Sequence, residues 1–226
     1  MGKVTIQKYT TKEPITMIGY EAGICYGADV SDDTKNYKRG IKCLNDGHGR
    51  TFEFPDIYAT IEDYSARVVR EWYTHIGGSP TRLQSSTRYI DYEHGFDYIV
   101  PHTIENNETA KSFYLDAVKH INTSLRMLDD LGIPREDSAN LLPLGMETKI
   151  VDKRNLRNLI DMSHQRECAR AYWEYRELFK DYKNALASYS EEWAYLVDNY
   201  FKPKCDLYGY CTESKSCGRR QKKGER

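Results

Sequence analysis

The chain has 226 residues, enough to bury a real core as one large domain or two small ones. Charged residues make up 30% against 39% hydrophobic, and a net charge of −1 argues against a protein whose main task is neutralising nucleic-acid phosphates. No apolar run is long enough to cross a bilayer, Met1 to Tyr9 lacks a signal-peptide core, and Ile6 breaks the myristoylation pattern, so a cytoplasmic protein is expected. Lys3 to Tyr9 alternates Val4 and Ile6 with polar residues and predicts a first strand. Residues 15–30 are apolar and glycine-rich, and polar Asp29 to Arg39 leads into a short helical segment ending near Gly47. Ile57 to Ile61 alternates again and predicts a second strand.

Val68, Val69, Trp72 and Tyr73 form the apolar set of an amphipathic segment, which Gly77, Gly78 and Pro80 break. Beyond the break, Ser79, Thr81, Ser85, Ser86 and Thr87 interleave with Arg82 and Arg88. Free backbone N–H groups, hydroxyls and guanidiniums suit a phosphate, although a solvated turn with surface arginines has the same composition. Tyr89 to Val100 is aromatic, acidic and extended, and Pro101 ends it. Glu108 to Leu131 places Tyr114, Ala117, Val118, Ile121, Leu125 and Leu128 at helical spacing before Gly132. Pro134 with Glu136 reads as the first turn of another helix. A short extended piece runs to Asn155, a helix with room for a bend continues to Leu186, and Glu191 to Tyr200 forms one more. Nineteen tyrosines favour half-buried sites and interfaces, since each ring packs while its hydroxyl needs a partner.

The tail carries Cys205, Cys211 and Cys217 at even spacing. In a reducing compartment they suit zinc or another thiophilic metal, or stay free thiols; the spacing matches no standard zinc pattern. Arg219, Arg220, Lys222, Lys223 and Arg226 then make a basic end expected to lack fixed structure. A metal-binding Cys tail with a basic arm is the footprint of a nucleic-acid-binding or interaction protein, but the rest of the chain has no basic stripe.

The order of short motifs resembles the flavin-dependent thymidylate synthase family, as a divergent branch. That family carries Arg-His-Arg and then Ser-x-Arg-Tyr after an Arg-Gln-Trp-Phe lead-in. Here Arg70-Glu71-Trp72-Tyr73, Thr74-His75-Ile76 and Ser86-Thr87-Arg88-Tyr89 stand in that order, with a loop two residues longer. His48 to Phe54 resembles the family's His-x4-Glu-His, with Phe54 for the last His. Leu142-Pro143-Leu144, Thr148-Lys149, Asn155-Leu156-Arg157, Arg166 and Trp173-Glu174 continue the register, so the likeness spans roughly residues 20 to 180.

With the elements above, the resemblance implies an α+β fold: a central antiparallel sheet packed with long helices, one domain over 1–200, and a Cys-containing basic tail over 201–226. It implies a homotetramer with shared active sites, binding FAD. The implied reaction methylates dUMP to dTMP with 5,10-methylenetetrahydrofolate for carbon and NADPH as reductant. A paralogue acting on another pyrimidine nucleotide would keep most of the same groups. By the resemblance, Arg166 is catalytic and touches the substrate, and Glu71, Ser86, Thr87 and Arg88 bind the nucleotide. His75, Gln84, Asn155 and Arg157 fall at flavin positions. Thr74 and Ile76 replace the triplet's two arginines, Ala139 and Arg170 depart as well, and Arg82 and Arg50 are placed to restore positive charge at the substrate and the cofactor. Without the resemblance, Arg166 reads as a helix-surface arginine pairing with Glu167 or Glu174. Arg157 and Arg166 lie nine residues apart, at about 100° each, so they point to opposite sides of a straight helix.

Overall fold

The computed structural model describes residues 2–224, so Arg226 of the basic end lies outside the described residues. Four antiparallel strands form one sheet in the order β1 (Lys3–Ile6), β2 (Asp56–Ser65), β4 (Glu147–Asn155), β3 (Thr81–Gln84). Alternation sets its two faces. Ile57, Ala59 and Ile61 of β2 and Ile150, Asp152 and Arg154 of β4 are buried on one side. The other side carries Lys153 paired with Asp56 at 2.6 Å and Lys149 paired with Glu62. A bulge between Ile61 and Tyr64, with Asp63 at φ +60°, resets the register so that Tyr64 and Ser65 also turn inward.

Helices supply the remainder of the core. The stretch read only as apolar and glycine-rich is α1 (Pro14–Cys25), which crosses α2 (Asp33–Asn45) at van der Waals contact. A Cβ on Gly19 would lie 1.7 Å from the Asn36 carbonyl oxygen, and one on Gly40 would lie 2.0 Å from that of Ile15. Glycine's poor helix propensity is thus outweighed by the approach it permits. Ser65 caps α3 (Ala66–Trp72), and α4 (His102–Glu105) leads into the long α5 (Glu108–Asp130). The helical turn expected at Pro134 is α6 (Arg135–Ser138).

The single helix expected from Asn155 to Leu186 is two. Asn155 ends β4 and caps α7 (Leu156–Arg166), and α8 begins only at Trp173, running to Ala187. The break lets Glu174 accept hydrogen bonds from the Ser65 N–H at 2.6 Å and its hydroxyl at 2.5 Å, in full burial. Helix α9 (Glu191–Tyr200) completes the main core, with Trp193 and Leu196 buried. Residues 89–100 are turns with one bridge, Tyr98 to Met146, and not an extended run. They pack Phe96 under Val118 and Leu125 of α5 in a second, thinner cluster. Among the described residues, no helix is long and apolar enough to cross a membrane.

Candidate active site

The site is built where α3 ends, above the junction of β4 and α7. Glu71 lies in the last turn of α3, and His75 follows as that helix unwinds toward Gly77. From the end of α7, Arg166 reaches across: Nη1 pairs with Glu71 at 2.9 Å, and Nε donates to His75 Nε2 at 2.9 Å. Nη2 makes only a long contact, 3.4 Å, to the Thr74 hydroxyl. The partner of Arg166 is therefore neither Glu167, which pairs with Lys183, nor Glu174. Accepting from Arg166 requires an unprotonated Nε2, and burial with the Arg166 and Arg154 charges holds His75 down at about 4.

Beneath Arg166 lies a column that the sequence reading missed. Its guanidinium sits 4.4 Å over the Tyr175 ring, which stacks on Trp72 at 5.6 Å; Arg154 covers the Trp72 ring at 4.4 Å. Arg154 is fully buried in a two-point pair with Asp152, at 2.5 and 2.7 Å, and its Nη1 donates to Asn158 at 2.6 Å. The Tyr175 and Tyr182 hydroxyls and the Trp72 N–H have no hydrogen-bond partner among the described residues. The signal was available: Asp152 and Arg154 continue the inward period of Ile150, where isolated surface charges have no place.

Asn155 accepts from the Asn158 N–H at 2.9 Å, while Asn158 donates to the Gly77 carbonyl at 2.7 Å. This pins the Gly77–Gly78 turn over the start of α7. Gly78 has φ +72°, and a Cβ there would stand 2.4 Å from Asn155 Nδ2, so any other residue strains the turn.

The other expected residues stand apart from this cluster within one chain. Arg50 and Arg157 share Glu53, at 3.6 and 2.6 Å. Arg157 and Arg166 thus do serve opposite sides of α7. The loop read as a phosphate cradle is partly strand β3, because residues 81–84 pair with β4. Arg82 folds back to donate to the Tyr73 carbonyl at 3.1 Å over that residue's ring, and Gln84 donates to the Thr148 hydroxyl at 3.3 Å. Ser86, Thr87 and Arg88 follow the strand, with Arg88 exposed and paired to Glu136 at 2.9 Å. The tail cysteines are free thiols, and among the described residues no three His, Cys, Asp or Glu side chains gather to hold a metal. The expected loose basic end is also corrected: Arg219 and Arg220 pair with Asp206.

Residues 6–189 match the family described as Thymidylate synthase complementing protein. The flavin-dependent thymidylate synthase of Pyrococcus abyssi is 30% identical, covering 94% of this chain and 90% of that one. This chain belongs to the flavin-dependent thymidylate synthase family. The family's enzyme from Nitratidesulfovibrio vulgaris is 26% identical over 92% of this chain and 91% of its own length. Flavin-dependent thymidylate synthase of Helicobacter pylori, solved with FAD and dUMP, shares the fold at a TM-score of 0.68 and 20% identity, over 88% of this chain and all (100%) of the other. A UMP/dUMP methylase from Streptomyces cacaoi bound with 5-Br dUMP shares it at 0.69 and 17% identity, over 89% and 96%. The column from Arg154 to Tyr175 supports the Arg166 guanidinium from below. The match covers most of the chain and does not favour the nucleic-acid-binding alternative.

Proposed function

We infer that this protein is a thymidylate synthase that methylates dUMP to dTMP, taking carbon from 5,10-methylenetetrahydrofolate and electrons from NADPH through FAD. The observation carrying the reading is Arg166: a guanidinium anchored by Glu71, neutral His75 and the Tyr175 ring, with one edge left weakly engaged. Methyl transfer to pyrimidine C5 needs negative charge stabilised on the ring, and an oriented guanidinium does that without moving a proton. His75, held neutral, fixes the orientation of Arg166 without adding a competing positive charge. Arg88 suits the nucleotide phosphate, because exchanging an exposed pairing with Glu136 costs about 0–1 kcal/mol. Ser86 and Thr87 offer hydroxyls beside it, and neither has a base at hand to act as a nucleophile.

FAD fits the residues around the Gly77–Gly78 turn. Gly78 lets the turn close directly onto the Asn155 side chain, Asn158 holds the Gly77 carbonyl, and the exposed arginines Arg157 and Arg50, gathered at Glu53, are available to a charged cofactor. The reduced flavin, when bound, supplies the hydride. We further propose a homotetramer with sites shared among chains. The support is that the Arg166, Arg157 and Arg88 clusters do not meet within one chain. Phe113 (73% exposed), Met127 (60%) and Leu131 (74%) on and just after α5 also lie bare.

Steady-state kinetics on two variants tests the reading, with flavin content measured alongside. Arg88→Ala raises KM for the nucleotide about tenfold to a hundredfold, the loss of a charge-assisted contact worth about 1.5–3 kcal/mol. Arg166→Ala lowers kcat by about a hundredfold or more at saturating nucleotide. Equal, purely binding-type losses in both would remove the catalytic role of Arg166, and normal turnover in both would sink the site. Running dUMP beside UMP establishes which nucleotide is used.

A further inference from the structure

The chain beyond residue 189 lies outside the family match, yet it is folded against the end of α7. Helix α10 (Lys204–Tyr208) starts behind Pro203, and its Asp206 draws in Arg219 and Arg220, the latter at 3.1 Å. The Cys211 N–H donates to the Gln221 carbonyl at 2.8 Å, which closes the return of the tail on itself. Arg170, in the turn after α7, donates to the Lys215 carbonyl at 3.1 Å and so ties the tail to the body. Between tail and turn lies a cavity of about 470 Å³.

The lining of this cavity is strongly one-sided. Arg166, Arg170, Lys204, Lys215, Arg219 and Arg220 stand in its wall, with Glu213 the one carboxylate among the lining residues. Asp206 behind the wall offsets part of the Arg219 and Arg220 charge, Glu71 pairs with Arg166 at 2.9 Å, and Glu213 faces Arg170 at 3.8 Å. Lys204 and Lys215 pair with no carboxylate among the described residues. A concave wall of like charge focuses its field inward, and guanidinium forks match the planar or tetrahedral oxygens of carboxylate and phosphate.

We propose that this cavity is a binding site for a multiply charged oxyanion, formed jointly by the tail and the turn after α7. Arg166 lines the wall while its guanidinium turns to Glu71 and His75, so the cavity adjoins the helix end that bears the proposed catalytic arginine; the meaning of that placement, though not the binding itself, rests on the proposed function. Among the proposed reactants, two sources share the chemistry: the phosphate of the nucleotide and the carboxylates of the folate.

Calorimetric titration of the full chain with inorganic pyrophosphate tests this, in the unaltered protein and in a Lys204→Gln/Lys215→Gln variant. Both lysine side chains are exposed, and the tail is tied down through the Lys215 carbonyl, which glutamine keeps, so the variant is expected to melt at the unaltered temperature. Pyrophosphate should bind at least about tenfold more weakly to it, as removal of charge-assisted contacts requires. Absence of pyrophosphate binding to the unaltered protein, or an unchanged Kd in the variant, overturns the proposal. As a check independent of substitution, affinity should fall steeply as salt rises from about 0.05 to 0.5 M, and a flat response is equally fatal. Repeating the titration with dUMP present identifies the source. Competition assigns the cavity to the nucleotide phosphate, whereas independence from dUMP with displacement by γ-linked triglutamate assigns it to the folate. A protein that binds pyrophosphate here but turns over no nucleotide would refute the synthase reading and leave the cavity standing.

Discussion

Asp152→Ala should be the most damaging single change beneath the site. Arg154 has no exposed side-chain surface, and Asp152 supplies both oxygens that neutralise it, at 2.5 and 2.7 Å. Truncating the carboxylate strands a buried charge whose remaining support is the Asn158 side-chain oxygen, the Met162 sulfur and the Trp72 face. Removing one partner of a buried pair costs about 3–5 kcal/mol. For a chain of this size each kcal/mol shifts the melting temperature by about 2–4 °C, so the fall should be about 6–20 °C. Thermal and guanidinium melts followed by circular dichroism measure it. Removing both partners in Asp152→Val/Arg154→Met should cost less than the single change, because no charge is left behind. A loss below about 1 kcal/mol for Asp152→Ala, or a double variant worse than the single one, refutes the reasoning.

The depressed basicity of His75 gives a pH signature. The folded state resists protonation down to about 4 while the unfolded chain protonates near 6.5, so this stability contribution is complete above that range and is lost as pH falls through it. An NMR titration of the His75 ring should show a midpoint below about 5, and a midpoint near 6.5 would contradict the buried acceptor role. Tyr175→Leu removes the ring under Arg166 and should lower kcat while leaving the nucleotide KM nearly unchanged; a pure KM effect would rule out positioning. Tyr175→Phe, which only deletes an unpartnered hydroxyl, should keep full activity and lose no stability in a melt. Gly78→Ala strains a left-handed turn against Asn155 and should cost about 1–3 kcal/mol, read from denaturant midpoints.

The residues showed some of this molecule plainly. Wherever one period held over a long run, as in Glu108 to Leu131 or Glu191 to Tyr200, the element stands where the pattern put it. The alternation of Ile57 to Ile61 found β2 but stopped short, since a bulge at Asp63 shifts the inward set by one residue. Helix α1 was hidden because its glycines oppose helix locally and are kept for contact with α2. Strand β3 was hidden too, since Thr81 to Gln84 is mostly exposed and is held by pairing with β4 and not by an apolar face. At the site, motif order singled out His75, at a flavin position, and Arg166, at the catalytic one, but gave no sign that the two touch. The layer that holds them was not legible, because Tyr175 looks like any core aromatic until its place between Arg166 and Trp72 is seen.

The half-turn offset between Arg157 and Arg166 has a consequence for how the enzyme fails. On the shared-site reading, one helix lends its first turn to one reaction centre and its last to another. Two preparations, each inactivated at a different one of these arginines, would then carry complementary lesions. Mixed and allowed to exchange subunits, they would assemble some centres with neither defect, and activity would return from two dead proteins.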